Sequence, residues 1–202
     1  MTSTQARPDL LADRFAPRYD VLQARHLLVE APAERAYSAL RSLDFTEIGG
    51  GLVNLAFWAR GLPERWKNRH HRMPRVPTRL TFDDLVTGSE WAILGERPGS
   101  EIVLGVAGQF WKPVVVWRRV EPDRFIDFAE PGFGKIVLSL SAAPYGGTHT
   151  LLTYDVRVIL GDGWSRAKFW VYWTTVSPFI RAIQTATLRT IARHAEAAEP
   201  KA

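Results

Sequence analysis

The chain has 202 residues, no cysteine, and a formal charge of +5 from 26 Lys and Arg against 21 Asp and Glu. That length supports one domain with a substantial core, whereas two would each be thin. The missing cysteines exclude a disulfide framework, a thiolate metal site and a cysteine nucleophile.

No window approaches the roughly 18 uncharged apolar residues of a membrane span. The stretch Met1–Pro17 carries Arg7, Asp9, Asp13 and Arg14 and lacks the apolar run of a secretory signal. The expectation is a cytoplasmic chain with residues 1–18 as an N-terminal extension and 19–198 as a single domain.

Tyr19–Glu30 has the length and the β-branched or leucine content of a strand, ended by Ala31-Pro32. Pro32 and Glu34 then open a helix, with proline in the first turn and an acid near the positive end of the dipole; Ala36, Tyr37, Leu40 and Leu43 form its apolar stripe. After Gly49-Gly50-Gly51, a second apolar helical stretch covers Leu52–Leu62 and contains Phe57 and Trp58. The three glycines lack the preceding strand and the GKS or GKT ending of a phosphate loop, so they read as a hinge.

Arg60, Arg65, Lys67, Arg69, Arg72, Arg75 and Arg79 crowd the next segment, broken by Pro63, Pro74 and Pro77. The prolines prevent a continuous basic recognition helix, and no zinc-finger spacing or RNA-binding aromatic motif accompanies the charge. A solvated connection is expected here, and specific nucleic-acid binding is not.

Leu80–Val86 reads as a short helix capped by Thr81. Ser89–Glu96 and Glu101–Phe110 read as a hairpin turning at Arg97-Pro98-Gly99-Ser100. Phe125–Glu130, Lys135–Ala143 and Thr148–Leu160 continue the strand series, and Val114–Arg124 is ambiguous. Trp164 to about Ala198 closes the chain as one amphipathic helix: Phe169, Trp173, Val176, Ile180, Ile183, Thr187 and Ile191 recur at steps of three and four. Pro178 inside that pattern predicts a bend and not two helices. A helix this long needs a broad apolar partner, which the antiparallel strands supply.

The stretch from Glu30 to Leu40, EAPAERAYSAL, resembles the strand-to-helix opening of the START-like (SRPBCC) helix-grip superfamily. Gly105–Pro113, Phe128–Lys135 and Phe169–Arg189 are similar to a group of bacterial members of that superfamily. The resemblance implies an α+β helix-grip fold: a curved antiparallel sheet wrapped around a long C-terminal helix, with two short helices after the first strand. It further implies a cavity between sheet and helix for a small hydrophobic ligand, as in lipid-transfer domains, pollen-allergen-type carriers and polyketide cyclases.

Strand alternation then selects the cavity wall. Ile136, Leu138 and Leu140 share a face, as do Leu152, Tyr154, Val156 and Val158, and Ile102, Leu104, Val106 and Phe110. Lys135, Ser139, Ser141, Thr153, Asp155 and Arg157 are placed on the opposite face, with Asp155 and Arg157 pairing at a solvated edge. The candidate ligand-binding residues are Phe57, Trp58, Leu104, Val106, Phe110, Leu138, Tyr154, Val156, Phe169 and Trp173.

Catalytic chemistry finds little support. His26, His70, His71, His149 and His194 have no metal-ligand spacing, and there is no GxSxG elbow, Rossmann fingerprint or P-loop, so no cofactor or metal is expected. Glu96 is the one candidate acid or base, taken to share a face with Ala92 and Leu94. The functional expectation is therefore a carrier of a lipid, polyketide or aromatic compound. A cyclase or dehydratase on the same fold is the first alternative, and a basic surface docking on nucleic acid or anionic lipid is the second.

Overall fold

The computed structural model describes residues 10–48 and 79–197. The expected helix over Leu52–Leu62, with Phe57 and Trp58, lies outside the described residues. So do the glycine hinge and the basic run as far as residue 78.

A short helix α1 (Leu11–Phe15) precedes strand β1 (Val21–Val29). Helix α2 (Ala33–Arg41) follows, entered through Pro32, whose missing N–H costs nothing at that position. Ala36, Tyr37, Ala39 and Leu40 are its buried stripe. Helix α3 (Phe82–Gly88) is closed by a reciprocal cap in which the Asp84 N–H donates to Thr81 Oγ1 and the Thr81 N–H donates to the Asp84 carboxylate.

Strands β2 (Ala92–Arg97) and β3 (Glu101–Gln109) form the expected hairpin, with Gly99 at φ 79° in the turn. Strand β4 (Val116–Arg118) resolves the ambiguous stretch; β5 (Gly134–Tyr145) and β6 (His149–Leu160) are long partners joined through Gly146 and Gly147, both at positive φ. The antiparallel order is β1-β6-β5-β3-β2, with β4 also on β3. Helix α4 (Gly163–Ala197) then runs unbroken through Pro178 for 35 residues.

Cross-strand register puts Leu104 beside Leu138 and Leu138 beside Val156, and likewise Ile102, Leu140 and Tyr154, so the expected wall residues share one face, here called inner. Helix α4 lies over that face. The Gln184 amide, fully buried, donates to the backbone carbonyls of Gln23 (2.9 Å) and Tyr154 (3.2 Å), and its oxygen accepts from Gln23 Nε2 at 3.0 Å. The start of α4 is fastened by Asp162, whose carboxylate accepts from the Ser165 N–H (2.8 Å), the Ser165 hydroxyl (2.8 Å) and the Gly132 N–H (2.7 Å).

Two expectations fail on the outer face. Phe125–Glu130 is not a strand: Phe125 packs against the sheet at Gly105, and Lys135 Nζ donates to the carbonyls of Phe125 (3.0 Å) and Ile126 (2.8 Å). Asp155 and Arg157 do pair, at 3.2 Å, but not at a solvated edge, since both are about 95% enclosed beneath α1. Arg157 also donates to Asp13 at 2.6 Å and to the Ala16 carbonyl at 3.0 Å, and Glu101 accepts from the Leu11 and Ala12 N–H groups and from the Ser139 hydroxyl. Ala12, Phe15, Leu94, Val103, Phe125 and Val137 pack around these polar groups as a separate outer core.

Candidate functional site

The inner face carries two packed clusters. One gathers α2 and the later part of α4 around Leu40, Phe82, Ile102, Leu104, Leu140, Tyr154 and Ile191. The other gathers the start of α4 around Val106, Phe110, Val158, Leu160 and Phe169. In the second, the Phe169 and Trp173 rings stack 5.5 Å apart and Trp111 meets Phe169 edge-on at 6.4 Å.

Between the clusters the inner face is only partly covered. Trp91 and Ile136 touch both and stay only half-buried, as do Leu138, Ile93 and Trp173 nearby. Above them, Val176, Ile180 and Ile183 on the sheet-facing side of α4 are half-buried and join neither cluster among the described residues. By contrast Val137, next to Leu138 but on the outer face, is sealed. The sheet-facing side of α4 is thus sealed at Phe169, Ser177, Gln184, Leu188 and Ile191 and only half-buried at Trp173, Val176, Ile180 and Ile183.

Beside these half-buried residues Tyr154 retains 8% of its surface, and among the described residues its hydroxyl has no hydrogen-bond partner. Burial pushes its phenol well above the usual range, so it remains a neutral donor.

The eight described ligand-site candidates divide accordingly. Leu138 and Trp173 are half-buried and Tyr154 and Val156 keep 8% and 7% of their surface, whereas Leu104, Val106, Phe110 and Phe169 are sealed core. Sequence reasoning passes over Trp91 and Ile93, although a step of two back from Ile93 would have found Trp91.

The candidate acid Glu96 requires a correction. A β-bulge between Ile93 and Gly95 breaks the alternation: Ala92 and Leu94 join the outer core, and Glu96 pairs with Ile102 on the inner side. Such a bulge re-aims every later side chain of its strand. The Glu96 carboxylate accepts from the Tyr37 hydroxyl at 2.5 Å and lies 3.3 Å from Arg41 Nε. Burial, and then this bond to Glu96, raise the Tyr37 phenol above its ordinary value. Among the described residues no group of three or more His, Cys, Asp or Glu is placed to hold a metal.

Strand order, hairpin connections and a closing helix held over one sheet face are now all in place. The architecture is a helix grip. No family model matches the chain, and no curated protein matches it. Among solved structures, the chain is similar to a truncated norcoclaurine synthase from Thalictrum flavum, at 10% identity over 90% of this chain and 95% of that one, TM-score 0.41. A hypothetical protein from Helicobacter pylori overlaps at 8% identity, 96% and 99% coverage and TM-score 0.43. The ZhuI aromatase/cyclase from Streptomyces sp. R1128 overlaps at 13% identity, 90% and 99% coverage and TM-score 0.30. The helix-grip assignment rests on the strand order and the seating of α4.

Another concavity, of about 440 Å³, opens beside β4 and is lined by Arg118, Arg119, Val120, Glu121, Arg124, Asp127 and Phe128. Arg118 is held by both oxygens of Glu130 at 2.9 and 2.8 Å, and Arg119 lies 3.9 Å from Glu121, so much of its charge is already matched.

Proposed function

We propose that the chain sequesters a small hydrophobic molecule, of lipid, polyketide or aromatic type, in the helix-grip opening beneath the middle of α4. The observation that carries this reading is the half-burial of Ile136 and Leu138 in mid-sheet. Apolar side chains on a central strand beneath a helix gain about 25 cal/mol per Å² when covered, and a guest in the gap supplies the missing cover. A concave, mainly apolar lining with few polar groups is the usual form of a small-molecule site. The lone Tyr154 hydroxyl suits a guest that offers a hydroxyl or carbonyl oxygen.

Cyclase or dehydratase chemistry would need an acid or base free to reach the guest. Glu96 is on the inner face, but Tyr37 and Arg41 already hold its carboxylate, which favours the carrier reading. Docking through Arg60–Arg79 draws no support, because all of that segment but Arg79 lies outside the described residues.

Native mass spectrometry of protein from its own host tests for a retained guest, and titration with the apolar fluorophore anilinonaphthalene sulfonate tests the gap. Leu138→Trp should fill the opening, weaken fluorophore binding about tenfold or more, and leave the melting temperature near that of the wild type. Equal binding by both proteins, or a large stability loss in the variant from overpacking, would refute the reading. Tyr154→Phe should weaken oxygen-bearing guests by roughly three- to tenfold and leave pure hydrocarbons unaffected.

A further inference from the structure

The side of α4 that faces away from the sheet has a composition the core does not explain. Trp164, Val171 and Pro178 recur at steps of seven along the middle of one face of its first half, with Lys168 and Phe179 on one flank of that stripe and Trp170 and Arg181 on the other. Trp164 is 71% exposed, Val171 74%, Trp170 50% and Phe179 39%. Single exposed apolar residues are ordinary on a protein surface, but an apolar group gathered on one helix face marks a contact. From Gly163 to Ala195 the helix carries Arg166, Lys168, Arg181, Arg189 and Arg193 and not one Asp or Glu. Arg166 is engaged with Asp20 at 2.7 Å, while Lys168 holds its ammonium 4.7 Å over the Trp164 ring and Arg181 is exposed.

We infer that the first half of α4 docks on the surface of an anionic lipid bilayer, with Trp164, Trp170, Val171 and Phe179 at the headgroup boundary and Lys168 and Arg181 against lipid phosphates. Indole rings favour that boundary because one edge is apolar and the other can donate a hydrogen bond. A basic, acid-free face with aromatic residues is the pattern of a helix lying in the interface plane. A second copy of the chain suits the face less well, since like-charged lysines and arginines would rim an apolar contact. No helix among the described residues is long and apolar enough to cross a membrane, so the contact is peripheral. The inference does not depend on what the inner opening holds.

Cosedimentation of the full chain with phosphatidylcholine vesicles, with and without phosphatidylglycerol, tests it. The wild type should bind the anionic vesicles, less so as salt rises. The double substitution Trp164→Ser and Val171→Ser should weaken binding about tenfold or more, and Lys168→Gln roughly fivefold; circular dichroism should show both variants folded, because all three positions are exposed. Three results would overturn the inference: a wild type indifferent to anionic vesicles, a double variant that binds as the wild type does, or a wild-type dimer that the double variant dissociates. The second would move the contact to another basic surface, and the third would make the face a self-association site.

Discussion

Gly105 stands on the outer face of β3 where any side chain would collide with its neighbours. A Cβ there would lie 2.6 Å from Leu94 Cδ1 and 2.6 Å from Phe125 Cζ, so the absence of a side chain is what lets Phe125 lie on the sheet. Gly105→Ala should cost about 1–3 kcal/mol through overpacking, read as a shift in the denaturant midpoint at unchanged slope. At this scale the sequence says least, because a glycine inside a strand signals a close approach without naming what approaches. Tyr154 makes the same point: alternation assigns its face, but only the fold leaves its hydroxyl without a partner among the described residues.

Helix α1 spans five residues, too few to be stable alone. It exists because buried Glu101 accepts from its first two N–H groups, at 2.6 and 3.2 Å, and because Arg157 ties Asp13 and the Ala16 carbonyl to the sheet. Replacing Glu101 by Gln leaves one acceptor oxygen for three donors and removes the charge. The expected loss is about 1.5–3 kcal/mol, with hydrogen exchange at residues 11–16 accelerating before that of β5 and β6. Burial pushes the neighbouring Asp155 carboxyl up, against the pull of its bonds to Arg157. On the inner side Gln184 does for α4 what Glu101 does for α1, by reaching backbone carbonyls of the sheet. Neither role is visible in local pattern, because Gln184 reaches Gln23, 161 residues away, and Glu101 reaches Leu11, 90 residues away.

For the whole molecule, the closing helix covers the inner face of the sheet, and Asp162 holds its first turn to the loop at Gly132. Its bonds from the Ser165 N–H, the Gly132 N–H and the Ser165 hydroxyl lower its pKa to about 2. A carboxylate held below its unfolded value of about 3.9 adds stability that is complete above that value and is lost as pH falls through the folded one. Melting temperatures of the wild type should therefore fall between pH 4 and pH 2 more steeply than those of Asp162→Asn, and parallel curves would contradict this. Local pattern alone determined β1, the β2–β3 hairpin, β5 and β6, the α2 and α3 starts, the continuous α4 and the inward face of β3, β5 and β6. Those follow from residue spacing, caps and turn glycines, which act within a few positions. Tertiary structure alone decided what lies on each face. It set Phe125 on the outer core in place of a strand, put Glu96 on the opposite face from Ala92 and Leu94 through one bulge, enclosed Asp155 and Arg157 beneath α1, and left Ile136 and Leu138 half-buried in mid-sheet. Periodicity states which way a side chain points, whereas burial depends on chain that arrives from far along the sequence.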